Sequence, residues 1–157
     1  MKEIQLTQGK VALVDDEDFE SLNQFKWYAI RNGKTFYATR KDMDDYKQIN
    51  ILMHWEVMNG KGIDHKDHNG MNNQKSNLRL CTQKENCMNR SKRENTSSIY
   101  KGVSFHSRDK KWQAHIGING KYIHIGLFTS EVDAAKAYNE KAIELFCEFA
   151  HINIIDK

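Results

Sequence analysis

Residues 64–86 read DHKDHNGMNNQKSNLRLCTQKEN, and this stretch decides how the chain is read. Ile63-Asp64-His65 enters it and a polar loop of Lys, Asp, His, Asn and Gly follows. Asn77-Leu78-Arg79-Leu80-Cys81 then alternates like a strand. Thr82 stands three residues before Glu85, which predicts a capping box opening a new helix. On that helix Asn86 and Asn89 are spaced i, i+3 and share a face. The predicted unit is strand, loop, strand, helix.

That pattern, over about residues 49–90, closely resembles the HNH endonucleases of the ββα-metal type, in particular the phage and intron-encoded homing enzymes. The resemblance implies that His65 is the general base and that the preceding Asp64 is a metal ligand. Asn77 would brace the loop and orient the histidine. A helix asparagine would complete the metal site: Asn86 fits best, Asn89 is the other choice, and Asn89 and His68 are further candidates for metal or phosphate. The implied cofactor is Mg²⁺ or Mn²⁺. His68 stands where that loop commonly has glycine, and Trp55 where the family often has arginine after its histidine, here His54. Both departures leave room for a weakened catalyst. His54 itself is expected to be structural.

The chemistry suits these residue types. Phosphodiester hydrolysis needs a base that accepts a proton near neutral pH, which a neutral imidazole does. It also needs charge stabilisation at the phosphate, the task of a hard divalent cation. Mg²⁺ keeps most of its waters and takes one or two protein oxygens, so one Asp and one Asn suffice. A zinc site from His65, His68, Cys81 and Cys87 matches no common clasp spacing.

The net charge of +3 hides an uneven distribution. Residues 1–46 carry 7 basic and 9 acidic groups, 47–95 carry 9 and 5, 101–125 carry 5 and 1, and 126–157 carry 3 and 6. The two basic blocks attract phosphate. Arg79, Arg90, Lys92 and Arg93 are phosphate-contact candidates in the first. Hydrophobic residues make up 39% of the chain, enough for a core. No apolar run approaches a membrane span, and the N-terminus lacks a secretory h-region. Three cysteines without a CxxC argue for a reducing compartment. The expected location is the cytoplasm of a bacterial host cell, with a phage- or intron-encoded gene.

Before the motif, residues 4–14 predict a hairpin around Gln8-Gly9, and Asp15–Asp18 predict a capped helix reaching Leu22. Residues 27–39 predict a second hairpin with an Asn32-Gly33 turn. Asp42, Asp44 and Asp45 are expected in a polar loop, and residues 49–58 in a helix.

After the motif, residues 91–98 contain no apolar residue and predict a linker. Trp112–Ile118 and Lys121–Gly126 alternate around Asn119-Gly120, a two-residue hairpin turn. The pairing puts Ile116 opposite Ile123 and Ala114 opposite Ile125 on an apolar face. Gln113, His115, Tyr122 and His124 lie on the other. Tyr100–His106 supplies a third strand, with Val103 and Phe105 inward and Ser104 and His106 outward. Ser130 caps a helix whose stripe is Ala134, Ala135, Tyr138, Ala142, Leu145 and Phe146. Residues 98–153 resemble the plant Apetala/ethylene-response-factor DNA-binding domain, through YKGVSFHSRDKKWQAHI, GKYIHIGLF, EVDAAKAYNEKA and EFAHIN. The resemblance implies DNA contacts from Ser104, His106, His115, Gly117, Tyr122 and His124. The cations Lys101, Arg108, Lys110, Lys111 and Lys121 surround that polar face, which also carries Gln113. Cys147, where a glycine is often found, is expected to be a buried or neutral thiol.

The expected fold class is α+β. An N-terminal HNH ββα-metal nuclease domain spans 1–90, with hairpins in 1–45 and the motif core in 49–90. A linker spans 91–98, and 99–157 form a three-stranded antiparallel sheet packed on one helix. The expected function is a homing-type DNA endonuclease acting on double-stranded DNA as a monomer or weak dimer. The alternatives are a DNA-binding regulator whose nuclease half has decayed, and a zinc-stabilised interaction protein.

Overall fold

Alternation decides the first strand pair. Ile4, Ala12 and Val14 point inward from β1 (Lys2–Gln5) and β2 (Val11–Val14), which pair antiparallel. A computed structural model describes residues 1–33, 35–44, 46–89, 92 and 96–155. It is a mixed helix and strand fold with four small antiparallel sheets among the described residues. Its backbone forms two compact units, Met1–Gln83 and Lys84–Lys157. The predicted linker at 91–98 lies partly outside the described residues.

In the first unit, α1 (Asp16–Asn23) follows β2 directly. Its acidic first turn suits the positive helix end. Asp15, expected to cap it, makes no side-chain cap. Its carboxylate instead accepts from the Lys75 amide at 2.8 Å and Gln74 Nε2 at 3.2 Å, which ties the helix start to the motif loop. Trp27 is fully buried and donates Nε1–H to the Leu22 carbonyl at 2.8 Å, closing the α1 end.

β3 (Tyr28–Asn32), β4 (Thr35–Asp44) and β5 (Lys47–Leu52) form a meander. Asn32 pairs with Thr35, so Asn32 belongs to the strand rather than to the turn. Two expectations fail here. Asp42 and Asp44 belong to a strand rather than a polar loop, and residues 49–52 are strand rather than helix. The Gln-Ile-Asn-Ile-Leu alternation finds a partner in β4, and pairing outweighs helix periodicity over so short a run. The helix is left with only Met53–Val57, α2.

β6 (Ile63–His65) pairs antiparallel with β7 (Leu78–Leu80). The loop between them is stitched to β2. The Leu13 amide donates to the Met71 carbonyl, and the Asn73 amide to the Leu13 carbonyl, each at 2.8 Å. A core of Ile4, Leu6, Val14, Leu22, Trp27, Met53, Val57, Ile63 and Leu78 lies beneath.

Helix α3 (Gln83–Met88) belongs, but for its first residue, to the second unit, where Met88 packs on the core. β8 (Val103–His106), β9 (Lys111–Ile118) and β10 (Lys121–Phe128) form a sheet in the order β10-β9-β8. Ile116 faces Ile123 as the alternation predicts, but Ala114 faces Gly126 because the register slips between His124 and Gly126. α4 (Glu131–Phe146) is capped by Ser130, whose hydroxyl accepts from the Asp133 amide. Ala134, Ala135 and Ala142 are fully buried, and their small side chains let α4 approach the sheet closely.

Phe105 does not reach this core. It is 43% exposed and stands edge-on to its cross-strand partner Trp112 at 5.2 Å. Cys147 is exposed, correcting the buried reading. Its φ of +47° explains why a glycine suits that position.

Candidate functional site

The short strand β6 presents Asp64 and His65, both buried. Asp64 Oδ2 accepts from Arg79 Nη2 at 2.8 Å and Arg79 Nε at 3.1 Å, across the strand pair that sets these residues opposite each other. Arg79, expected at a DNA phosphate, therefore has its guanidinium on Asp64 and only 9% of its side chain exposed.

The His65 ring is packed from two sides. The His54 ring of α2 stands edge-to-face on it with centroids 4.7 Å apart, and the Tyr37 ring of β4 is 5.7 Å away. His65 Nε2 lies 3.3 Å from Asn73 Oδ1, and Asn73 is fully buried. Burial lowers the His65 pKa below the ordinary imidazole value, while the Asn73 contact, then Asp67 and Asp64, pull it back part of the way. The ring is neutral at pH 7. His54 is pushed further, to about 3, by burial and then by His65. Its Nδ1 is buried without a hydrogen-bond partner. Burial, and then the Asp64 charge, raise the Tyr37 hydroxyl above its usual range.

The loop is braced from within. Asn77 Nδ2 donates to Asp67 Oδ1 at 2.9 Å and to the Asn72 carbonyl at 2.8 Å, while its Oδ1 accepts from the Asp67 amide at 3.1 Å. Burial opposes the ionised Asp67, but hydrogen bonds from Asn72, the Asn69 amide and Asn77 prevail and hold its carboxyl below the usual range. His68 has φ +62°, the backbone region that makes glycine common there. Gly70 cannot be larger: a Cβ would lie 2.4 Å from the Phe36 carbonyl oxygen and 2.7 Å from the Tyr37 ring.

Of the helix asparagines, Asn86 is exposed and Asn89 is buried. Among the described residues no group of three or more His, Cys, Asp and Glu side chains converges as a metal site. The Asp64 carboxylate is a hard oxygen donor, of the kind that suits a cation retaining waters.

The second unit carries the other candidates. Gln113, His115, Tyr122 and His124 line an open cleft of about 300 Å³ on the sheet face away from α4. Gln113 Nε2 and His124 Nδ1 are 2.9 Å apart, and the His115 ring meets Tyr122 at 5.6 Å. Arg108, Lys110, Lys111 and Lys121 are exposed around them. Ser104 faces Gln113 across β8 and β9, and His106 Nδ1 lies 3.3 Å from Asp109. Lys101 lines a cleft with Ser104, His115 and Tyr122, but its charge is engaged. Its ammonium donates to the Met88 carbonyl at 2.9 Å, and burial lowers its pKa to about 8. Lys92 lines an adjoining cleft with Lys101 and Ser104, and His115 and Tyr122 border both clefts. Arg90 and Arg93 lie outside the described residues.

Sequence reasoning missed Tyr37 and Asn73. Asn73 sits inside the quoted motif, but nothing in the string distinguishes it from Asn72. Tyr37 carries no local signal, since its proximity depends on where β4 packs. Among the described residues no helix is long and apolar enough to cross a membrane.

Residues 53–88 match the family described as HNH endonuclease. The chain is 36% identical over 154 residues to an uncharacterized HNH endonuclease of Acanthamoeba polyphaga mimivirus, covering 95% of this chain and 78% of that one. In the C-terminal region it is 37% identical over 59 residues to an AP2-like ethylene-responsive transcription factor of Arabidopsis thaliana (38% of this chain, 12% of that one). It is also 40% identical over 57 residues to an APETALA2-like protein of Oryza sativa subsp. indica (36% and 13%). No solved structure matches the chain.

Proposed function

The chain belongs to the HNH endonuclease family, and we infer from this that it is a homing-type, site-specific DNA endonuclease built on a ββα-metal motif. The observation that carries the reading is the pairing of a neutral, packed His65 with the adjacent carboxylate of Asp64. His65 takes the proton of the attacking water, and its lowered pKa keeps it in the accepting form at neutral pH. Asn73 and the rings of His54 and Tyr37 restrict its orientation. Asn77 holds the loop, and Arg79 fixes the direction of the Asp64 carboxylate. Asp64 would be a ligand to Mg²⁺ or Mn²⁺, which would supply charge neutralisation at the phosphate and leaving oxygen, and Asn86 remains the candidate for an amide ligand. Double-stranded DNA is bound by the polar sheet face of the second unit, with the surrounding lysines and Arg108 on phosphates. One such site per chain cuts one strand per monomer.

Supercoiled-plasmid nicking tests this. The wild type converts supercoiled to open-circular DNA only with a divalent cation. His65→Ala loses nicking and keeps DNA binding; full activity in that variant overturns the assignment. Trp55 favours a second reading, a DNA-binding regulator with a decayed nuclease half. Lys61 stands over its ring at 5.5 Å, where the family often has an arginine. Retained DNA binding with no nicking at any cation concentration supports that reading.

A further inference from the structure

We infer that Gln113 and His124 act as one recognition couple that reads an adenine in the DNA major groove. The inference rests on the reading of the second unit's polar sheet face as its DNA-binding surface.

The two side chains come from neighbouring strands and meet at 2.9 Å between Gln113 Nε2 and His124 Nδ1. The register slip places Gln113 opposite Leu127 in the backbone pairing, so its amide reaches along the face to His124. His124 is exposed and Gln113 half-buried, and both line the open cleft.

The contact constrains what the pair can offer a partner. A neutral imidazole carries one N–H. If the Gln113 amide donates to Nδ1, the ring proton sits on Nε2, which donates outward, and Gln113 Oε1 remains an acceptor. The amide keeps a second free N–H beside them, so the couple presents donors and an acceptor side by side, coupled by the bond between the two side chains.

The major-groove edges of the four bases differ in this respect. Adenine offers an acceptor, N7, beside a donor, the N6 amine. Guanine offers two acceptors, cytosine one donor, and thymine one acceptor beside a methyl group. Only adenine satisfies both halves of the couple. Against guanine, the acceptor of the couple would face O6 with no proton between them. Lys111, two residues before Gln113, is exposed and placed for phosphate.

The test is selection of bound sites from a randomised double-stranded DNA pool by the full chain, compared with Gln113→Ala and His124→Ala. The wild type is expected to return a site with one position favouring adenine over guanine roughly tenfold or more. Both variants lose the preference at that position and keep it at the others, with an unchanged circular dichroism spectrum. The inference is overturned if both variants return the wild-type site, or if the position they control selects guanine or a pyrimidine on the contacted strand. A wild type that selects no DNA removes the DNA-binding reading and this couple with it, an outcome distinct from the first two.

Discussion

The ring of His54 stands edge-to-face on the ring of His65, with 4.7 Å between centroids and 78° between planes. Two imidazoles from different elements therefore share one buried site, and His65 Nε2 faces the acceptor Oδ1 of Asn73 whereas His54 Nδ1 has no hydrogen-bond partner among the described residues. His54 remains neutral because protonating it would bury a charge beside His65.

This arrangement makes the fold acid-sensitive. The His54 pKa falls from about 6.5 unfolded to about 3 folded, so the unfolded state binds the proton first. Its contribution is complete above pH 6.5 and is lost as pH drops through the window toward 3. Between pH 6.5 and 5 this one group is expected to lower stability by about 1.5 kcal/mol. Urea unfolding of wild type and His54→Phe at both pH values checks it. The variant should show a shallower decline, and equal slopes would remove His54 as the cause.

Arg79→Met leaves Asp64 buried without its guanidinium. Breaking such a pair on one side costs roughly 3–5 kcal/mol. The same variant should also need more Mg²⁺ for half-maximal nicking, because the carboxylate loses its fixed direction. Denaturant melts and a Mg²⁺ titration separate the two effects. Normal stability together with a normal Mg²⁺ requirement contradicts the structural role.

Asn73→Ala removes the His65 Nε2 contact and a donor to the Met71 carbonyl at 3.2 Å. The expected cost is about 1–3 kcal/mol of stability and roughly 10- to 100-fold in nicking rate, with DNA affinity retained. Single-turnover nicking and a binding titration measure these separately. A proportional loss of both would point to unfolding instead.

Gly102→Ala should disrupt the second unit. A Cβ there would lie 2.1 Å from Tyr138 Cδ2 and 2.7 Å from the His115 carbonyl oxygen, and the residue has φ +73°. Strain and overlap together are expected to cost more than about 3 kcal/mol. Loss of DNA binding and of the α4 helical signal should appear together. A variant that melts like the wild type would show that Tyr138 can rotate away.

The C-terminal sheet was legible because its information is local. Seven alternating residues, Asn119-Gly120 and a returning strand define register without distant contacts. The bulge at Ile125 was not legible, because α4 and the sheet twist decide which residue is left unpaired. Within the expected helix at 49–58, residues 49–52 pair as strand for a related reason. Alternation and helical spacing compete there within a few residues, and the choice belongs to β4.

By itself the sequence determined which residues could do chemistry: Asp64, His65 and Asn77 on a strand–loop–strand, and Gln113, His115, Tyr122 and His124 on one strand face. Side-chain type and short-range periodicity are carried by neighbouring residues, so they survive without a fold. Tertiary structure alone decided what surrounds each group. It brought His54 and Tyr37 to His65, turned Arg79 onto Asp64 and Lys101 onto the Met88 carbonyl, and joined Gln113 to His124. Burial and charge pairing depend on contacts between elements distant along the chain, and these set protonation and availability.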